Sequence, residues 1–176
     1  FWSLGNESFA GDNMVAMQKL YKSHHDGRLV HYEGVCHTHD YSKQIPSLDP
    51  KGYLPAGGTK DYREELSDVE SWMYLPPKQV EEYLKNNPDK PFMECEYMHD
   101  MGNSDGGMGS YIKLLDKYPQ YFGGFIWDFI DQALAVKDPV SGKEVMRYGG
   151  DFDDRHSDYE FSGDGLMFAD RTPKPA

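Results

Sequence analysis

The chain has 176 residues, with 30 acidic against 18 basic side chains and a formal net charge of −12. That balance excludes nucleic acid and an anionic membrane surface as partners, because both require a basic face. No apolar stretch approaches the ~20 residues of a membrane span, and no basic-then-apolar signal segment opens the sequence.

Apolar runs of strand type alternate with helical patterns, the signature of βα units around a parallel sheet. The first run covers residues 1–4. Asp12 is expected to cap a helix whose inward positions are Met14, Met17, Leu20 and Tyr21, ended by Asp26-Gly27. Residues 29–34 read as a second strand, followed by a long irregular stretch over 35–66 rich in Pro, Gly, Ser and Lys. Loops of that length are uncommon unless they serve a site or lack order.

A third strand fits residues 68–74, and Pro76-Pro77 starts a short helix with Val80, Tyr83 and Leu84 inward. The fourth strand runs through Phe92-Met93-Glu94-Cys95-Glu96-Tyr97. After a Gly-rich turn over 102–109 comes a helix with Met108, Tyr111, Ile112 and Leu115 on one face, then a fifth strand over 124–128. Five strands are too few for a closed eight-stranded barrel, which takes about 250 residues. The expectation is therefore an α/β chain in which residues 1–176 form a partial TIM-barrel catalytic domain, cut from a larger multidomain enzyme, with an open edge that invites association.

Two acids stand out from the 30. Glu7 follows Phe1-Trp2-Ser3-Leu4-Gly5-Asn6, and Glu96 closes the apolar run of the fourth strand. A buried strand that stops on an acid is how a parallel barrel presents chemistry at the carboxyl end of its sheet. Two such acids can divide glycoside hydrolysis between a proton donor and a nucleophile. Tyr97, His99 and Asn103 beside Glu96 are polar groups suited to holding a sugar.

Other clusters carry less. Cys36-His37-Thr38-His39-Asp40 lacks the paired spacing of a structural zinc site and reads as a loop with solvated histidines. His24-His25 complements a helix end. The glycines of 102–109 lack the Lys-Ser/Thr of a phosphate loop. Acids over 151–154 lack an EF-hand register. Cys36 and Cys95 are expected to be reduced thiols, in a cytoplasmic setting.

Five blocks in order resemble one family. They are Trp2-Ser3-Leu4-Gly5-Asn6-Glu7-Ser8, Cys95-Glu96-Tyr97-Met98-His99-Asp100-Met101-Gly102-Asn103-Ser104, Gly123-Gly124-Phe125-Ile126-Trp127-Asp128, Tyr148-Gly149-Gly150-Asp151-Phe152 and Phe168-Ala169-Asp170-Arg171-Thr172-Pro173. They are similar to the bacterial β-galactosidases of glycoside hydrolase family 2, and within it to the two-subunit type of lactic acid bacteria. The resemblance implies the C-terminal part of a TIM barrel, about strands 4–8.

It also implies roles. Glu7 corresponds to the general acid/base, Asn6 to its sugar-binding neighbour, Glu96 to the nucleophile and Tyr74 to the tyrosine that supports it. His99 corresponds to a substrate-binding histidine, and Trp127 to the aromatic platform under galactose. Glu7 is implied as one ligand of a magnesium ion whose other ligands lie outside this chain. Phe161, through its carbonyl, and Asp164 correspond to a site for sodium or potassium, with Asp164 standing where the family has Asn. Implied partners are a β-galactoside substrate, the remaining barrel strands and β-sandwich domains of the parent, and further copies in an oligomer.

Glu94 departs from the family, which is apolar at that place; sharing a face with Glu96, it is the rival nucleophile. Protonation of Glu7 is expected to require burial or the nearby Glu96 charge. Two other readings stay open: another glycosidase of the family, a β-glucuronidase or β-mannosidase, and a non-catalytic carbohydrate-binding protein on a degenerate barrel. The block from His99 to Asn103 favours the galactosidase version.

Overall fold

The structure is a computed structural model and describes residues 1–49, 60–86, 88–102, 104 and 106–175. Residues 50–59 of the expected long loop, and Asn103, lie outside the described residues. The chain divides into two compact units, Phe1–Cys95 with Gly109–Gly124, and Glu96–Met108 with Phe125–Ala176.

In the first unit the strands follow one another in space as they do in sequence. Strand β1, Trp2–Ser3, pairs in parallel with β2, Val30–His31, with Trp2 opposite Val30. Helix α1, Asp12–Ser23, connects them. Backbone hydrogen bonds carry the order onward: Asp68 N–H donates to Val30 O at 2.8 Å, Glu70 N–H to Pro91 O at 2.8 Å and Phe92 N–H to Gln120 O at 2.7 Å. The first joins β2 to the residues just before β3 (Glu70–Met73), while β3, β4 (Phe92–Tyr97) and β5 (Tyr121–Ile126) form one three-stranded sheet in that order. Each crossover carries a helix: α2 (Arg63–Leu66), α3 (Pro77–Lys85) and α4 (Gly109–Lys117). A helix in every connection is what parallel neighbours need.

Leu4, Val30, Tyr32, Val35 and Leu66 form a buried cluster against which Met14, Val15, Met17 and Tyr21 of α1 pack. Full burial of each aliphatic side chain contributes about 1.5–3 kcal/mol. Helix α3 forms as its Pro start and inward Val80, Tyr83 and Leu84 predict.

Several local expectations are corrected. Asp12 is the first helical residue and makes no side-chain cap; Gly11 holds that position. Leu20 is exposed rather than inward, as are Ile112 and Leu115 on α4, where Tyr111 and Leu114 are the buried pair. The run over 29–34 pairs only at Val30–His31, after which Glu33–His37 coils into a 3-10 turn. Helix α2 lies inside the stretch read as irregular. His37 is exposed as expected, whereas His39 is half-buried, with Nδ1 2.6 Å from Asp61 Oδ2 and its ring meeting Tyr41 edge-on at 4.7 Å.

The second unit adds an antiparallel hairpin the sequence reading lacked, β6 (Leu134–Lys137) with β7 (Glu144–Arg147). Asp138 holds its turn, accepting from Ser141 N–H at 2.7 Å and from Arg147 Nη2 at 3.3 Å. Beyond β5, Trp127 N–H donates to Tyr97 O at 3.0 Å and Asp128 N–H to Asp164 O at 2.7 Å. Ile130 then bridges Met167 in parallel. Gly165 permits this approach, since a Cβ there would meet Ile130 C and Asp131 N at 2.3 Å.

Among the described residues no helix is long and apolar enough to cross a membrane. Among the described residues Cys36 and Cys95 form no disulfide, and Cys95 Sγ–H donates to Trp72 O at 3.2 Å.

Candidate active site

The segments leaving β1, β3 and β4 share one backbone feature. Glu7 has φ 48, Tyr74 has φ 56 and Met98 has φ 55. Left-handed backbone is uncommon for residues with a side chain, and it persists where the surroundings over-determine it, often at functional sites. Two of the three are residues singled out from sequence, and the third follows Glu96-Tyr97.

In the first unit, Asn6 and Glu7 are exposed, so the burial expected for Glu7 is not supplied within this chain. Its backbone is nevertheless held, for Glu7 N–H donates to Glu33 Oε1 at 2.6 Å. Tyr74 sits one residue past β3 and is partly exposed. The next residue, Leu75, is buried and fixed from both sides: its N–H donates to Glu94 Oε2 at 3.4 Å, and its carbonyl accepts from Tyr111 Oη at 3.1 Å.

Glu94 and Glu96 share a face of β4 but differ in depth. Glu94 is fully buried, while Glu96 is half-buried at the outer end of the strand. Burial holds the Glu94 carboxyl well above the usual carboxylate range, opposed only by the Leu75 hydrogen bond. A group in that state keeps its proton and is a poor nucleophile.

The second unit gathers His99, Phe161 and Asp164. The His99 and Phe161 rings meet edge-on at 5.2 Å, and His99 Nε2 lies 3.8 Å from Asp164 Oδ2. Trp127, half-buried, joins them through the backbone, since Asp128 N–H bonds Asp164 O and Asp100 N–H bonds Trp127 O at 3.0 Å. Asp164 is fully buried, and neither carboxylate oxygen has a hydrogen-bond partner among the described residues. Burial and the neighbouring Asp128 charge raise its pKa. Such an orphaned carboxylate is a donor set a cation would satisfy. Among the described residues, no three His, Cys, Asp or Glu side chains group where they would hold a metal ion.

Sequence reasoning passed over Glu33, although it follows an apolar run just as Glu7 does. It also passed over Glu70, Arg63 and Asp89. Arg63 Nε donates to Glu70 Oε2 at 2.7 Å and Nη2 to Asp89 Oδ1 at 2.7 Å, with Arg63 and Glu70 both buried.

The family model described as glycosyl hydrolases family 2, TIM barrel domain, matches residues 1–176. The chain is 73% identical over 176 residues to the β-galactosidase large subunit of Lactobacillus helveticus, covering all of this chain and 25% of that protein. It is 61% identical over 176 residues to the β-galactosidase large subunit of Leuconostoc lactis, again all of this chain and 25% of the relative. It is 49% identical over 174 residues to a β-galactosidase of Halalkalibacterium halodurans, covering 99% of this chain and 15% of the relative. The chain thus spans a quarter or less of the length of these curated relatives.

Proposed function

We propose that this chain, which belongs to the TIM-barrel domain of glycosyl hydrolases family 2, supplies both catalytic carboxylates of a retaining β-galactosidase acting on β-D-galactosides such as lactose. The observation that carries this reading is the 73% identity, unbroken over the whole chain, to a β-galactosidase large subunit. The depth of Glu96 on β4 and the strained backbone at Glu7 and Tyr74 support it.

In this reading the carboxylate of Glu96 attacks the anomeric carbon while Glu7 gives its proton to the glycosidic oxygen, and the aglycone leaves as an alcohol. Glu7, now ionised, takes a proton from water; the hydroxide oxygen attacks the same carbon, and Glu96 departs as carboxylate. Two inversions give retention, which needs the carboxyl groups ~5–5.5 Å apart. Tyr74 holds Glu96 in its attacking orientation. Asn6 and His99 bind sugar hydroxyls, and Trp127 packs on the apolar face of the ring.

The buried Asp164 carboxylate, without a hydrogen bond among the described residues, fits a sodium or potassium ion, with the Phe161 carbonyl as companion. A bound cation there would neutralise Asp164 and take oxygen ligands. Magnesium would need ligands from outside this chain to join Glu7, and no step is assigned to it. The segment works within a longer chain that provides the remaining barrel strands and flanking domains, in an oligomer. Without them it is inactive. A reducing, cytoplasmic setting is part of the same reading.

The test is kinetics of the full-length enzyme. Glu96→Gln should lower kcat on lactose by about 10⁴-fold or more, as loss of a nucleophile does. Hydrolysis that survives Glu96→Gln at parental rate would sink the assignment.

A further inference from the structure

Glu7 and Ser8 leave β1 as an exposed segment, yet two successive residues leaving β2 grip them. Glu33, 4% exposed, accepts from Glu7 N–H through Oε1 at 2.6 Å. Tyr32, fully buried, donates its phenol O–H to the carbonyl of Ser8. A carboxylate taking a backbone N–H makes one of the stronger hydrogen bonds a side chain offers.

The gripping residues are themselves fixed. Tyr32 N–H donates to Ser67 Oγ at 3.2 Å, and Ser67 Oγ–H donates to Val69 O at 2.7 Å, so the segment before β3 braces the exit from β2. Gly34 makes room for the ring: a Cβ there would lie 2.6 Å from Tyr32 Cε1 and Cζ and 2.7 Å from its hydroxyl. Tyr32, Glu33 and Gly34 therefore act as a unit, and what they hold is a residue at φ 48. Backbone of that kind needs outside support.

We propose that Tyr32 and Glu33 are positioning residues for Glu7: together they clamp the Glu7-Ser8 backbone from the neighbouring strand and so set the direction in which Glu7 delivers and recovers its proton. The inference rests on Glu7 being the acid/base. Neither residue touches the reacting atoms in this account. Their effect reaches the chemistry only through the backbone of Glu7.

A misaimed acid has a particular kinetic signature. It slows departure of an aglycone that must be protonated and spares one that leaves as a stable anion. In the full-length enzyme, Glu33→Ala should lower kcat/KM on lactose by about 10²-fold, the scale of a small misplacement. On 2,4-dinitrophenyl β-galactoside, where kcat/KM reports a first step needing no proton, the loss should stay within about threefold. Glu33→Gln keeps an acceptor oxygen and should recover most of the lactose activity. In a Glu7→Ala background, Glu33→Ala should cost nothing further.

Equal losses on the two substrates, or an undiminished loss in the Glu7→Ala background, would overturn the clamp and leave Glu33 a folding residue. Where Glu33→Ala does not fold, Tyr32→Phe, which removes only the phenol oxygen, carries the same comparison with the same outcomes. Should Glu7→Ala itself hydrolyse lactose at the parental rate, the acid/base assignment fails instead. That result is separate from the clamp's failure.

Discussion

Glu70 and Glu94 lie on adjacent strands of one sheet, both fully buried, yet their carboxyl groups are satisfied differently. Glu70 accepts from Arg63 Nε at 2.7 Å, Tyr41 Oη at 2.5 Å and Trp72 Nε1 at 2.6 Å. Among the described residues Glu94 has only the 3.4 Å hydrogen bond from Leu75 N–H, and its Oε1 accepts none. An ionised carboxylate without compensation is too costly to bury, so the proton stays.

That difference makes stability depend on pH. Burial raises the folded pKa of Glu94 above its ordinary 4.5. Its contribution is fully present below that value and is lost as pH rises toward the folded pKa, because the unfolded chain releases the proton first. Glu94→Gln carries no such proton. The melting temperature of the variant relative to the parent should therefore be higher at pH 8 than at pH 5, by about 3 °C or more. A difference that is the same at both pH values would mean Glu94 is ionised and paired.

Arg63 is the compensating charge for Glu70, and it also meets Asp89. Removing one partner of a buried pair leaves the other stranded, at a cost of about 3–5 kcal/mol. Arg63→Ala should show a loss of that size in chemical unfolding, and Arg63→Met combined with Glu70→Leu should recover most of it. A loss under about 1 kcal/mol for the single variant would place the pair among ordinary surface bridges.

Tyr74 at φ 56 is held by the fixed Leu75 that follows it. If it orients the nucleophile, Tyr74→Phe should lower kcat by about 10²-fold with KM changed less than about threefold. Unchanged kcat would make Tyr74 a packing residue.

The buried Asp164 carboxylate, which accepts no hydrogen bond among the described residues and has His99 Nε2 3.8 Å away, predicts a cation effect that activity is not needed to see. Sodium chloride should raise the melting temperature above that in choline chloride at equal ionic strength, by mass action on the folded state. The rise should shrink in Asp164→Ala. An undiminished rise would put the ion elsewhere.

The βα alternation was legible because strand and helix periods differ, and the Pro76-Pro77 start of α3 announced itself. Glu7 and Glu96 are proposed from their places at strand ends and from the family blocks, and Tyr74 from the family resemblance alone. What stayed hidden depended on partners distant in sequence. Arg63 and Asp89 are 26 positions apart, so a charged four-residue helix such as α2 looked like loop. Glu33 looked like any other acid until Glu7 N–H was found on it. The β6–β7 hairpin did leave a trace, in Pro139 and Ser141-Gly142 between alternating runs, which turn chemistry could have recovered.

The most direct test is covalent. Full-length enzyme inactivated with a 2-deoxy-2-fluoro-β-galactosyl fluoride accumulates its glycosyl-enzyme, because the fluorine slows the second displacement more than the activated first. Peptide mass spectrometry should find the sugar esterified to Glu96. A label on Glu94 or any other residue, or turnover with no covalent adduct, would contradict the assignment of Glu96 as the nucleophile of a double displacement.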